Sequence, residues 1–200
     1  MLPMSELYNN ENGLGTGESA QVLKQIKTCW PVVCEVVRVL IDQRCKPALS
    51  HNIPRNLETI SPAWLNQVLT NFPDILSVSI GPRTEGTTSR GVLELETTDG
   101  PHSVFVKLAS QELAGRVFSN LEALGVRESR FYKGLGSDLP IKAPTLYYTD
   151  AHIASGRFII IIEDLRQPGR EFRTLADGCS VAEAETIIAD LSRLHARFWN

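Results

Sequence analysis

One lysine stands inside a short apolar segment that has the pattern of a buried strand. Residues 103–108 read Ser-Val-Phe-Val-Lys-Leu, with apolar side chains on both faces beside Lys107, which is typical of a strand covered on both sides. An ammonium group in such a strand must either reach solvent or meet a carboxylate and a ligand. Lys107 is therefore the first candidate for chemistry.

A carboxylate that could meet this lysine lies in the helix that follows. Apolar residues recur at three- and four-residue steps after Ser110, a good N-cap, and predict one helix that continues to residue 135. Glu128 stands on this apolar stripe, where a hydrophobic residue is expected. The helix could thus place Glu128 opposite Lys107. The alternative is a solvated lysine at a strand end and a glutamate in a frayed helix, since glycines weaken this helix.

A glycine- and threonine-rich segment connects the first two predicted strands, ahead of the strand that carries Lys107. Residues 81–91 read Gly-Pro-Arg-Thr-Glu-Gly-Thr-Thr-Ser-Arg-Gly, and such a segment can turn backbone N–H groups and hydroxyls toward an anion. The candidates for a phosphate contact are Gly86, Thr87, Thr88 and Ser89. The segment lacks the Gly-Lys-Ser/Thr ending of a P-loop, so an ordinary hairpin is the alternative.

The sequence changes abruptly from apolar to charged after residues 158–162. These residues read Phe-Ile-Ile-Ile-Ile and suit an internal strand. Glu163, Asp164 and Leu165 follow at once, and a turn comes next. Backbone groups at such a strand end can bind the edge of a flat heterocycle, which makes this segment a candidate hinge. The alternative is that the acidic residues only terminate the strand.

The remaining patterns predict an α+β fold with an antiparallel sheet. Residues 75–80, 91–96 and 103–108 read as successive strands, with Thr97-Thr98-Asp99-Gly100 as a hairpin turn. Ser61 and the proline after it open a helix before these strands.

The first 50 residues predict an extension of the main domain. Residues 1–20 are polar and read as a mobile tail. Residues 21–41 have the spacing of an amphipathic helix that Pro31 breaks into two pieces. We expect this helix to pack on the body of the protein, and a partner-binding helix is the alternative.

The last helix begins with a capping box, Ser180 and Glu183, and carries an apolar face. His195 lies beside that face and reads as a packed core histidine. Nothing later in the sequence completes the apolar face, so we expect either a missing lobe or a partner to cover residues 180–199.

Composition narrows the class of protein. The chain has 200 residues, 42% of them hydrophobic, and a net charge of -3, which suits a substantial core and gives no reason to expect a nucleic acid or membrane partner. The four cysteines lack Cys-x-x-Cys spacing and read as buried thiols of a cytoplasmic protein. Their positions are Cys29, Cys34, Cys45 and Cys179.

Several short motifs occur in an order that resembles the aminoglycoside phosphotransferase and choline/ecdysteroid kinase-like (CHK kinase-like) family. They are Trp64-Leu65, Glu85-Gly86-Thr87, Val104-Phe105-Val106-Lys107-Leu108, Arg127-Glu128-Ser129-Arg130-Phe131-Tyr132, Ala143-Pro144-Thr145-Leu146-Tyr147-Tyr148, Ile161-Ile162-Glu163-Asp164-Leu165 and Leu194-His195-Ala196-Arg197-Phe198-Trp199. The resemblance implies a protein-kinase-like fold in three parts. These are an N-terminal extension, a nucleotide-binding N-lobe with its hinge, and the start of a truncated helical C-lobe, over residues 1–52, 53–165 and 166–200.

The resemblance also implies a role for each candidate. Lys107 would hold the phosphates of ATP and Glu128 would hold Lys107 in place. The loop from Gly86 to Ser89 would cover the phosphates, and the backbone of Glu163 and Leu165 would bind adenine. The implied function is an ATP- and Mg²⁺-dependent kinase that phosphorylates a small-molecule hydroxyl group, whose identity cannot be read from this sequence.

The catalytic loop of that family is not found in these 200 residues. The family needs a His-Gly-Asp motif, a following asparagine and a further aspartate for Mg²⁺, whereas Asp177 and Asp190 lack this context. The sequence therefore predicts no catalytic residue and no metal ligand, and an inactive fragment. Two alternatives stay open: a non-catalytic nucleotide-binding or protein-interaction module, and an unrelated α+β enzyme domain.

Overall fold

The computed structural model describes residues 16–44, 52–135, 138–166, 170, 172 and 175–199, with side chains from residue 24 onward. Within these ranges, no helix combines the length and the hydropathy needed to cross a membrane. The helices are α1 Thr16–Arg44, α2 Pro62–Val68, α3 Leu113–Leu121, α4 Leu124–Leu135 and α5 Val181–Phe198. The strands are β1 Ile75–Thr84, β2 Thr88–Thr97, β3 Gly100–Ala109, β4 Leu146–His152 and β5 Arg157–Glu163.

The fold is α+β, with one five-stranded antiparallel sheet in the order β1-β2-β3-β5-β4. Strand β5 is internal, as its run of isoleucines predicts. Thr97 pairs with Gly100 across a two-residue turn, where Gly100 has a φ of 120° that favours glycine. This turn fixes the register of the whole hairpin, and Arg90 thereby lies directly opposite Lys107.

The sheet is covered on both faces, as the pattern of β3 predicts. Val104, Val106 and Leu108 belong to a core that includes Trp64 and Leu65 of α2. The other face carries a smaller cluster around Phe158, Ile160 and Ile162, against which α4 packs. The two faces of β3 therefore have different neighbours, α2 on one side and α4 on the other.

The prediction of one helix over residues 110–135 is wrong in its detail, because two helices occupy this segment. Ala123 has a φ of 51° between α3 and α4, and a residue in this left-handed conformation interrupts the helical hydrogen bonds. Ser110 is not the N-cap. The N-cap is Glu112, which makes no side-chain cap hydrogen bond, and the Ser110 hydroxyl donates to the Gly86 carbonyl instead.

The N-terminal extension packs on the body through α1, which runs through Pro31 without a break. The predicted interruption at Pro31 is therefore wrong. Proline removes one N–H donor and crowds the carbonyl of the residue four positions earlier, Lys27. Both residues are exposed, so water can bind the carbonyl that loses its helical partner. The predicted tail over residues 1–20 is wrong for residues 16–20, which belong to α1, and residues 1–15 lie outside the described part.

A buried ion network holds α1 against α3 and β5. Asp42 binds Arg116 at 3.0 Å and Arg157 at 2.8 Å, and the two arginine side chains are only 3% and 4% exposed. Burial lowers the pKa of Arg116 to about 10 even though Asp42 opposes this shift, so Arg116 stays protonated at neutral pH. Glu35 adds a second anchor, accepting hydrogen bonds from Arg38 and Asn120.

The three described cysteines and His195 are not buried as predicted. Cys29, Cys34 and Cys179 are exposed, and Cys45 lies outside the described residues. Helix α5 has the predicted capping box but no buried residue, so His195 is exposed rather than packed in a core. The apolar residues of this helix, including Ile187, Ile188 and Leu191, also remain exposed.

We expect the substitution Asp42→Ala to destabilise the protein by about 3–5 kcal/mol, because it leaves two buried guanidinium groups without their carboxylate. The measurement is the free energy of unfolding in urea. Asp190→Ala is the matched control, since Asp190 forms an exposed pair with Arg193 on α5, and its loss should change stability by less than about 1 kcal/mol. Equal, small effects of the two substitutions would show that the network does not fix α1.

Candidate functional site

Lys107 and Glu128 meet across the gap between β3 and α4. Lys107 Nζ donates to Glu128 Oε1 at 2.6 Å, and the two side chains are 22% and 30% exposed. Lys107 lies in the middle of the sheet, between Arg90 of β2 and Ile160 of β5. The site thus has a fixed cation with part of its surface still open to a ligand.

A glycine brings α4 close enough to the sheet for this contact. A Cβ atom on Gly125 would lie 1.9 Å from the ring of Phe158, so only glycine permits this approach of helix and strand. Glu128 follows Gly125 by one turn and reaches Lys107. The sequence shows Gly125 only as a residue that weakens the helix, and its packing role depends on Phe158, which lies far along the chain.

Tyr132 lies one helical turn after Glu128 on α4. Burial raises the pKa of Tyr132, and the nearby Glu128 carboxylate raises it further. The phenol therefore remains neutral at physiological pH and adds no charge to the site.

Arg90 is a second cation that the search for functional residues missed. It pairs directly with Lys107 across the hairpin, so both side chains lie on the same face of the sheet, and it is exposed. The two-residue turn at Thr97–Gly100 was a sufficient signal, because counting back from that turn places Arg90 opposite Lys107. The site carries two positive charges beside one carboxylate.

The predicted phosphate loop is shorter than the sequence suggested. Thr88 and Ser89 belong to β2, are 9% and 2% exposed, and are not loop residues. Ser89 pairs with Leu108, so it lies on the face opposite Lys107, and its hydroxyl donates to Glu85 at 2.5 Å. The assignment of Ser89 to the phosphate loop is therefore wrong, because the strand begins earlier than its apolar pattern indicates.

The remaining loop, residues 85–87, is held against the start of α3. The Ser110 hydroxyl donates to the Gly86 carbonyl at 2.7 Å and accepts from the Glu112 N–H at 3.1 Å. Gly115 faces the same carbonyl, and a Cβ there would approach it to 2.3 Å. Gly86 and Thr87 are exposed at the tip of the hairpin. Ser110 and Gly115 thus set where the loop lies.

The predicted hinge is a folded segment rather than a free strand end. The Glu163 N–H donates to the Thr145 carbonyl at 2.8 Å, and the Glu163 carboxylate accepts from the Thr145 N–H and hydroxyl, both at 3.1 Å. The N–H of Glu163 is thus engaged within the protein. Leu165 follows two residues later and is half-buried.

Asp164, which the sequence suggested only as a strand terminator, organises this hinge. Its carboxylate accepts from the backbone N–H of Arg166 at 3.0 Å and from the Arg166 guanidinium at 3.1 and 2.9 Å. Burial raises the pKa of Asp164, but hydrogen bonds from Arg166 and Ser103 outweigh this effect and hold the pKa below its ordinary value. The ionised carboxylate therefore closes a turn around Leu165.

The chain was compared with protein-family models, with curated proteins and with solved structures, and none of the three comparisons gives a match. Among the described residues, no cluster of three or more His, Cys, Asp or Glu side chains is placed to hold a metal ion. The chemistry of the site therefore rests on Lys107, Arg90, Glu128, the 85–87 loop and the hinge.

We expect Gly115→Ala to displace the 85–87 loop and to destabilise the protein by about 1–3 kcal/mol, because the new methyl group overlaps the Gly86 carbonyl. Amide hydrogen exchange of residues 85–87 and urea unfolding measure the two effects. Gly134→Ala in α4 is the matched control. A Cβ at Gly134 meets nothing within 4 Å, so alanine should stabilise its helix slightly. Unchanged exchange in Gly115→Ala would show that this contact does not position the loop.

We expect Asp164→Asn to cost about 1–3 kcal/mol at neutral pH, because the hydrogen bonds from Arg166 lose their charged acceptor. The folded-state pKa of Asp164 lies below the ordinary value of an aspartate, so this contribution is complete above the ordinary value and is lost as the pH falls through the folded-state pKa. Urea unfolding of both proteins across acidic pH measures it. A stability difference between the wild type and Asp164→Asn that persists unchanged at the lowest pH would contradict the role of the carboxylate. Asp138→Asn, at an exposed aspartate, is the control.

Proposed function

We propose that this chain is the nucleotide-binding lobe of an ATP-dependent phosphotransferase that acts on a small-molecule hydroxyl group. The single observation that carries the proposal is the 2.6 Å contact between Lys107 Nζ and Glu128 Oε1. A cation that a carboxylate fixes in advance, on a sheet and partly open to solvent, suits the arriving charge of phosphates. The protein-kinase-like fold and the motif order described above belong to the same proposal.

Each part of the site has a role in this proposal. Lys107 binds the α- and β-phosphates, and Arg90 adds positive charge on the same face of the sheet. The 85–87 loop, anchored by Ser110, covers the phosphates with its backbone. The Glu163 carbonyl and the Leu165 N–H meet the edge of adenine, in a turn that Asp164 and Arg166 keep closed.

ATP, when bound, supplies the phosphoryl group, and the residues of this chain bind and orient it. The charges around Lys107 support this fit, because Glu128 is in contact with Lys107 and the guanidinium-bearing Arg90 lies directly opposite Lys107 on the neighbouring strand. The described residues do not fit a Mg²⁺ ion, since they hold no cluster of acidic side chains suited to bind it. We therefore assign to this chain no step that runs through the metal.

A non-catalytic nucleotide-binding module is the second candidate, and one observation favours it. The contact between Lys107 and Glu128 fixes a cation for the phosphates of a nucleotide and does not by itself transfer a phosphoryl group. The two candidates predict the same nucleotide binding and differ in turnover. Transfer of the γ-phosphoryl group from ATP to any small alcohol would exclude the non-catalytic module.

We expect Lys107→Ala to weaken the binding of Mg-ATP at least about tenfold, because each charge-assisted contact to a phosphate is worth about 1.5–3 kcal/mol. Isothermal titration calorimetry measures the affinity. Lys133→Ala is the matched control, since Lys133 is an exposed lysine on α4 whose nearest carboxylate oxygen is 4.0 Å away, and its loss should leave the affinity unchanged.

Glu128→Gln should weaken nucleotide binding less than Lys107→Ala, because the lysine keeps its charge and loses only its fixed position. An unchanged affinity in Lys107→Ala, or a wild-type protein that binds no Mg-ATP, would overturn the proposal.

A further inference from the structure

A cavity of about 200 Å³ lies where α1, the junction of α3 and α4, and the turn between β4 and β5 meet. We call it the α4 cavity. Its volume is below the range of about 300–1,000 Å³ that is typical of sites for drug-sized ligands, so it suits a small ligand. The lining residues that bear on its chemistry are Arg38, Ser119, Ala123, Gly125, Val126 and Arg130.

The α4 cavity is separate from the site around Lys107. Val126 and Arg130 each lie two residues from Glu128 along α4. At about 100° per residue, this spacing places both on the side of the helix opposite Glu128. Glu128 is the residue that contacts Lys107. The two sites therefore lie on different sides of α4.

A buried hydroxyl in the wall of the α4 cavity has no hydrogen-bond partner among the described residues. Ser119 is only 2% exposed, and its Oγ atom is buried with neither a donor nor an acceptor near it. Burying a hydroxyl without a partner is unfavourable, and such groups in folded proteins normally meet protein, water or a ligand. Because Ser119 lines the cavity, its hydroxyl can donate to an oxygen atom of a group bound there.

The first turn of α4 supplies further donors. Its first main-chain hydrogen bond runs from the Arg127 N–H to the Ala123 carbonyl, at 2.9 Å. The N–H groups of residues 124–126 come before this bond and have no acceptor among the described residues. Ala123 has no side-chain oxygen that could cap them. The N-terminal end of α4, which carries partial positive charge, thus borders the cavity through Gly125 and Val126.

Two guanidinium groups line the α4 cavity, and one of them remains available to a ligand. Arg38 donates to Glu35 through Nε and Nη2, and to two carbonyls of the β4–β5 turn through Nη1. Its charge is therefore balanced by Glu35. Arg130 is exposed and forms no ion pair within the described part of the chain. No described residue that lines the cavity carries a carboxylate, so Arg130 gives it a net positive charge.

We propose that the α4 cavity binds a phosphate group, either as free phosphate or as part of a small phosphate monoester. The N–H groups at the start of α4 bind phosphate oxygens, and Arg130 pairs with the charge. The Ser119 hydroxyl donates to a further oxygen. A tetrahedral phosphate can accept from donors on α3 and α4 at once, whereas a carboxylate offers only two oxygens.

The test is a titration of the full chain with inorganic phosphate, at an ionic strength that sodium chloride holds constant, followed by NMR of the backbone amides. The amide signals of residues 124–126 should shift and saturate. Arg130→Ala should weaken this binding at least about tenfold, because it removes the charge-assisted contact. Arg127→Ala is the matched control, since Arg127 is an exposed arginine of the same helix that does not line the cavity.

Two further variants separate this site from its alternatives. Lys107→Ala should leave the response of residues 124–126 unchanged, because Lys107 lies on the other side of α4. Ser119→Ala should weaken phosphate binding without lowering stability in the absence of phosphate, because the lost hydroxyl has no partner there. Urea unfolding measures that stability. A second titration, with glycerol 3-phosphate, distinguishes the source of the phosphate group: tighter binding than free phosphate supports a monoester, and weaker binding supports free phosphate.

Amide signals of residues 124–126 that do not respond to either probe would overturn the proposal, as expected if the Ser119 hydroxyl meets only a buried water. An equal loss of affinity in Arg130→Ala and Arg127→Ala would also overturn it, because the phosphate would then be attracted only by the general charge of α4.

Discussion

The close approach of α4 to the sheet is the constraint on which the candidate site depends. Gly125 has no side chain where it meets Phe158, and this lets the next turn of α4 bring Glu128 to Lys107. The pair is partly exposed, so its Coulomb energy is modest and is largely offset by lost hydration. Its value is positional: the carboxylate determines where the cation lies before a ligand arrives.

The sequence predicted the local structure and the central pair well. Period-two and period-3.6 patterns located the strands and most helices, and the capping box located α5. Lys107 and Glu128 were candidates because each stands in an otherwise apolar pattern, and the resemblance to the kinase-like family favoured their contact over two solvated side chains. A charged residue in such a position has a cost, and its presence there points to a partner.

Two of the errors share a physical cause, because both depend on contacts between segments distant in sequence. Ser110 looked like a helix cap, but its hydroxyl binds the Gly86 carbonyl, 24 residues earlier. Ser89 looked like a loop residue, but strand pairing with Leu108 extends β2 to include it. Local propensity cannot weigh such contacts against each other.

Helix α1 departs from the usual arrangement of an amphipathic helix, in which the apolar side faces the body, because it contacts the body through two carboxylates as well as through the buried Val39. Its carboxylates face inward because Asp42 finds Arg116 and Arg157, 74 and 115 residues away, and these hydrogen bonds offset the lost hydration. Its exposed apolar residues, which no other described part of the chain covers, are Ile26, Trp30, Val33 and Val37. The net charge of -3 does not show this local distribution, because the exposed charged side chains among residues 24–44 are Lys24, Lys27 and Arg44, whereas both acids of this segment are engaged within the protein. Which surface can bind a partner therefore depends on which charged side chains are already paired within the protein, and the net charge does not reveal this.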